Sequence, residues 1–310
     1  MEALINITLP VFGVIFVGYL ASYFGVLGQQ SGEALNRFVY YVAFPALLFV
    51  VVARTPVEKI FYWPFLLAWM SSLGVTYAIT AALSFIFYRD RLANIAVRSM
   101  NTTCSSTAFM GVPLVVTAFG KAAALPAILA TTIIVTVFVS ITILLIEADR
   151  NAKNGSKSTI SDIGFSLAKN PLMISVVLGV LLAIFGSLPK PLEKLCDLLG
   201  SAAIPCSLVG IGVFVAGQSV RGTLNGVTIP VFVKLLIHPL VTWLLIRWFF
   251  ELEPMWAAAT ILLSALPPAT TCFVIAQRHQ VLVSETSGTI WMSTLISIIT
   301  VSVLLAVLGA

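Results

Sequence analysis

Ten apolar stretches of about twenty residues each, joined by short polar connections, leave this chain very few ways to fold. They run approximately over 4–24, 34–53, 63–88, 93–118, 122–147, 169–188, 192–217, 227–250, 254–277 and 281–309. A helix needs about 20 mostly apolar residues to cross a bilayer, whereas outer-membrane strands alternate apolar and polar residues over about 10 positions. Each stretch is continuously apolar, so the expected class is an all-α integral membrane protein. Composition agrees. Twelve acidic and 17 basic residues among 310 make 9% charge, against about 25% in ordinary soluble domains. So few charges cannot cover a water-soluble globule, and a coiled coil, a disordered tail or a disulfide-rich secreted domain is excluded with it.

The remaining polar residues carry topology. The only hydrophilic linker is 148–168, which divides the stretches five and five. Connections 1–2, 3–4, 5–6, 7–8 and 9–10 with their flanks hold Arg37, Arg89, Arg91, Arg98, Arg150, Lys153, Lys157, Lys169, Arg221 and Arg278. The opposite side holds Arg54, Lys59, Lys121, Lys190, Lys194 and Arg247. Ten against six predicts a cytoplasmic linker and both termini outside. The net charge of +5 is spread out, with no basic cluster of the kind that binds nucleic acid. The start lacks a basic leader, and its apolar run is longer than a signal-peptide core, so the first helix is expected to be retained. Cys104, Cys196, Cys206 and Cys272 show neither metal-ligand spacing nor a disulfide frame. They read as packing residues.

An odd number of segments per half would insert a repeated half upside down, the common plan of secondary transporters. Prolines recur at similar offsets: Pro10 with Pro171, Pro45 with Pro205, and Pro113 with Pro267 or Pro268. The expected architecture is therefore ten transmembrane helices as a 5+5 inverted repeat, with helices 4 and 9 broken and crossing. Those two helices place Pro113 and Pro267–Pro268 at mid-span among Gly, Ser and Thr, and proline releases the carbonyl four residues earlier. The released groups are the carbonyls of Phe109, Leu263 and Ser264. In lipid such groups must be buried in protein or line a cavity. Matched breaks in the two halves point to a midplane site, and the helix starts beyond them suit an anion. The plainer alternative is a proline kink, with the hydroxyls of Thr107, Thr270 or Thr271 filling the freed carbonyls.

None of the twelve carboxylates falls in the middle third of a segment, and Glu147, Asp197, Glu251 and Glu285 lie toward the ends. Intramembrane acids are usual where protons or sodium drive transport. Segment 8 instead carries Lys234 and His238, four residues apart on one helix face. A mid-span lysine costs about 2.5–3.5 kcal/mol on insertion scales. Either Lys234 snorkels to the interface, or the pair forms an electropositive wall in which His238 titrates near neutrality. His238 also precedes Pro239, so it could simply bond a backbone carbonyl. Enzyme constellations such as HExxH, GxSxG or paired embedded aspartates are lacking. Gly210, Gly212 and Gly217 read as helix-packing residues. No cofactor, metal or enzymatic activity is expected.

The stretches "FMGVPL…AFG" at 109–120, "ALPPATTCFVIAQRHQV" at 265–281 and "STLISIITV" at 293–301 resemble the auxin efflux carrier family. The likeness covers the whole chain, and the short linker is similar to that of bacterial members. The resemblance implies scaffold helices in 1–60 and 169–225, and transport-domain helices in 61–147 and 226–310, divided by the 148–168 linker. It also implies a homodimer face on segments 1, 2 and 7. Members commonly carry Asn seven residues before the segment-4 proline, where this chain has Ser106, which loses the amide's two donors. That puts an auxin-type substrate in doubt. The expected substrate-binding set is Ser106, Thr107, Met110, Gly111, Pro113, Lys234, His238, Pro267, Pro268, Thr270 and Thr271.

The function implied is secondary transport of small organic anions, auxin-like or a dicarboxylate such as malonate, in the bacterial inner membrane by elevator-type alternating access. Membrane potential is the simplest driving force and favours export. Import of a dicarboxylate needs a coupled cation, with His238 the suspect. The rivals are a sodium-coupled carrier like the bile-acid symporters and a non-transporting sensor on a carrier scaffold.

Overall fold

The computed structural model describes residues 2–56, 61–154, 171–186, 188–217 and 224–308. The expected linker from residue 155 onward lies outside them, as do Lys59, Lys157, Lys169 and Arg221 of the charge count. Among the described residues there is no strand. The helical pieces are α1 (Glu2–Tyr23), α2 (Gln30–Ala53), α3 (Trp63–Tyr88), α4 (Leu92–Thr103), α5 (Thr107–Phe119) and α6 (Lys121–Arg150). They continue with α7 (Pro171–Phe185), α8 (Lys190–Ala216), α9 (Gly226–Trp248), α10 (Pro254–Ser264), α11 (Thr270–His279) and α12 (Val283–Leu308). Helices α2, α3, α6, α8, α9 and α12 are long and apolar enough to cross a membrane. The helix of α6 continues to Asn154, so the linker begins later than its polar composition suggests.

The outer surface is what a membrane protein presents to lipid. Phe16, Phe85, Phe87, Leu198 and Ile299 are well exposed, while Ser72, Thr76, Ser99, Thr102, Ser293 and Ser297 are fully buried. Many of the buried hydroxyls donate to the carbonyl one turn back, as Thr260 does to Trp256 at 2.6 Å and Thr242 to His238 at 2.8 Å. That satisfies a polar group where no water reaches it.

Two sets of helices hold together by different means. Helices α1, α2, α7 and α8 meet through small residues. A Cβ on Gly212 would overlap the Ile15 carbonyl oxygen, so α8 and α1 touch backbone to backbone. At the end of this set Arg54 makes two hydrogen bonds to Asp197, of 3.1 and 2.6 Å, and one to Glu193.

The other helices are tied by polar groups. Ser72 of α3 bonds Thr242 of α9 at 2.6 Å, Thr80 bonds Thr102 at 2.7 Å, and Trp69 Nε1 donates to the Ala130 carbonyl. Asn101 of α4 donates to Thr286 of α12 at 2.9 Å. A buried ion pair, Arg98 Nε to Asp90 at 2.6 Å, ties the middle of α4 to the 89–91 connection, and Arg98 Nη1 also donates to the Gly226 carbonyl of α9. Arg98 thus does more than contribute to the charge count of the connection it flanks.

Candidate functional site

Most mid-helix prolines do not break their helices. Before Pro45, Pro113 and Pro239 the chain widens into a π turn, at Val39–Ala43, Thr107–Gly111 and Val233–Ile237. The residue before each proline donates to the carbonyl five back: Phe44 to Val39, Val112 to Thr107 and His238 to Val233. A wider turn reroutes the backbone bonds around the missing donor. Pro113 therefore lies inside α5, and it does not mark the interruption of segment 4.

The interruptions lie elsewhere and meet each other. One is Cys104–Ser106, between α4 and α5; the other is Ala265–Ala269, between α10 and α11. Pro267 and Pro268 remove two successive donors there, more than one widened turn can absorb. The two gaps pair as a short antiparallel bridge at Ser105 and Pro268. Ser106 N–H donates to the Pro267 carbonyl at 2.9 Å, and Ala269 N–H donates to the Cys104 carbonyl at 2.8 Å. Backbone groups that neither helix can satisfy are thus satisfied across the junction. Gly111 permits the approach, because a Cβ there would stand 2.6 Å from a Leu263 methyl.

Lys234 reaches this junction from α9. It is fully buried, which overturns the snorkelling alternative. Its Nζ donates to Ser105 Oγ at 2.5 Å and to the Ser264 carbonyl at 3.0 Å, and lies 2.9 Å from His238 Nδ1. The Ser264 carbonyl is the group Pro268 releases, so the lysine fills the opening that the proline makes. With Lys234 as an ammonium, which has three N–H and no lone pair, Nδ1 of the neutral His238 ring accepts and the ring proton sits on Nε2. His238 Nε2 is buried without a partner, and the ring lies 5.9 Å from that of Trp69. All three acceptors of the lysine are uncharged.

The other expected residues divide. Ser106, Thr107, Met110, Gly111, Pro113, Pro267 and Pro268 are buried at or beside the junction, while Thr270 and Thr271 are half-buried on the first turn of α11. Thr107 bonds Thr131 at 2.8 Å rather than a freed carbonyl. The carbonyl of Phe109 is filled instead by Ser207 Oγ of α8 at 2.9 Å. Ser105 and Ser207 were missed by sequence reading. The position of Ser105 beside Ser106 was a signal, but Ser207 had none, being 98 residues from its partner. A groove lined by Phe49, Leu178, Leu181 and Leu182 is apolar and shares no residue with this junction.

Apolar helices facing lipid, with a buried polar junction between two interrupted helices, define a multi-pass integral membrane protein of the transport class. A family model described as "Membrane transport protein" matches residues 3–305, and the chain belongs to that family, the auxin efflux carriers. Among its relatives is a "Putative malonate transporter" of Rhizobium meliloti, 31% identical over 98% of this chain and 96% of that one. An "Uncharacterized transporter" of Methanothermobacter thermautotrophicus is 24% identical over 94% of each chain. The "Uncharacterized transporter YfdV" of Escherichia coli is 22% identical over 94% of this chain and 93% of its own length. The relatives are named transporters, in keeping with a protein that is not an enzyme.

Proposed function

We propose that this protein is a secondary transporter of small organic anions that binds its substrate where the breaks of segments 4 and 9 meet. The observation that carries the reading is Lys234, a fully buried cation at that junction whose three partners are neutral. A buried charge without a counter-charge is costly, and a substrate carboxylate repays that cost. Ser105, Ser106 and the first turn of α11 supply further hydroxyls and N–H groups for an anion. The name of the Rhizobium meliloti relative makes malonate the first probe.

In this reading the chain forms ten transmembrane helices as a 5+5 inverted repeat with segments 4 and 9 crossing. Residues 61–147 and 226–310 form a transport domain that moves past a scaffold of 1–60 and 169–225. The polar ties within the first set and the glycine contacts within the second favour that division. The scaffold carries the homodimer face on segments 1, 2 and 7, and the termini face outward from the bacterial inner membrane. Each charge moved gains or loses about 2.3 kcal/mol per 100 mV, so an inside-negative potential drives anion export.

Labelled malonate in proteoliposomes provides the test. The expected result is protein-dependent flux that follows the imposed potential and is lost in Lys234→Met. Malonate and a panel of other small carboxylates, all unmoved under every gradient, would overturn the reading.

A further inference from the structure

Resting on that reading, we propose that His238 is a proton-binding site that loads one proton together with the anion, through competition with Lys234 for Nδ1. Lys234 Nζ lies 2.9 Å from Nδ1 and also donates to Ser105 Oγ and the Ser264 carbonyl, so all three of its N–H groups are spent. Opposite a charged Lys234, the neutral His238 ring carries its proton on Nε2. The only lone pair open to an added proton is the one Lys234 occupies.

Proton uptake therefore rearranges the site. A proton on Nδ1 sets two donors against each other, and the Nζ–H···Nδ1 hydrogen bond breaks. The released lysine N–H and the new Nδ1–H are then both free to donate to a carboxylate. No bond other than hydrogen bonds and the single N–H changes, and the proton leaves by the reverse step when the anion is released.

The surroundings favour binding proton and anion together. Two adjacent buried cations are unstable by themselves, and one carboxylate offsets both. From α3, His238 faces Trp69 and Ser72, the latter through Thr242. The α4–α5 gap presents Ser105 with the Cys104 thiol near Lys234, and α10 and α11 present the Ser264 carbonyl and the Cys272 thiol. From α12, Met292 packs against the Val227, Val231 and Leu235 side of α9. Among the described residues no carboxylate faces the pair, so the charge to be balanced comes with the substrate.

Coupling of this kind lowers the charge moved per anion by one. It also opens import to a proton gradient.

The experiment is equilibrium accumulation of labelled malonate in proteoliposomes clamped at zero potential, under a one-unit pH gradient, acid outside. With one proton per anion the wild type reaches about tenfold accumulation. The plateau is independent of rate, so His238→Asn, which keeps an acceptor near Nδ1 but cannot be protonated, is compared on the plateau however slowly it transports. Loss of accumulation in His238→Asn supports the site, and a retained tenfold plateau overturns it. A wild type that responds to potential but not to the pH gradient overturns this inference alone, while one that moves neither malonate nor any other small carboxylate of the panel under any gradient removes the reading beneath it. If His238→Asn transports nothing, calorimetry of malonate binding to wild type in buffers of different ionisation enthalpy decides. The same titration is run on His238→Asn: about one proton taken up per malonate by wild type and none by the variant supports the site, and equal uptake by both, or none by wild type, overturns it.

Discussion

Segments 2 and 7 carry prolines just as segments 4 and 9 do, yet only the second pair loses several successive residues of helix. In α2 a π turn at Val39–Ala43 absorbs Pro45, and in α8 Pro205 falls within the first turn after a single turn residue at Ala202. Both helices stay long enough to cross a membrane. In segments 4 and 9 the chain gives up several residues of helix, and the exposed backbone groups are taken by the opposite gap and by Lys234. The comparison teaches that a single proline in a membrane helix is accommodated locally. An interruption needs a second partner able to receive what the helix releases.

The strongest way to break the comparison is to remove that partner. Lys234→Met leaves the Ser264 carbonyl and Ser105 hydroxyl buried without their donor, at about 1–3 kcal/mol for each unsatisfied group. Thermal unfolding in detergent should show a clear loss of stability, and malonate flux should disappear. Next in size is the double change Pro267→Ala with Pro268→Ala. Restoring two donors lets α10 run on toward α11 and withdraws the Pro267 carbonyl from Ser106. Flux is expected to fall at least about a hundredfold, about 2.7 kcal/mol in transition-state terms, with circular dichroism showing helicity held or increased.

Ser207→Ala removes the hydroxyl that fills the Phe109 carbonyl across the two sets of helices. About 1 kcal/mol is the expected loss of stability, read as a modest fall in melting temperature, with a change in transport rate if this contact breaks during the cycle. The smallest effect belongs to Arg54→Ala. Its side chain is 44% exposed although it contacts two carboxylates, and such pairs contribute about 0–1 kcal/mol. Its stability cost should shrink further as salt is raised.

Much of this organisation was legible in the residues. Continuous apolar runs located the helices, because a bilayer demands about 20 apolar residues of any helix that crosses it. The carbonyls of Phe109 and Ser264 were identifiable as released groups, since proline acts on a fixed partner four residues back. What fills them was not legible: Ser207 and Lys234 come from helices distant in the chain. The location of the first gap was misread for the same reason. Pro113 drew attention as a helix breaker, but its π turn absorbs it, and the chain opens at Cys104–Ser106 because Pro267 and Ala269 offer backbone partners there. Local rules identify the strain in a helix, and only the folded chain shows where it is relieved.

The claim that the paired gaps form the anion site is tested most directly by calorimetric titration of malonate into purified wild type, Pro45→Ala and the Pro267→Ala/Pro268→Ala variant. Wild type and Pro45→Ala are predicted to bind with similar affinity, and the double variant, folded and helical, to show no binding. Equal binding by all three proteins would contradict it.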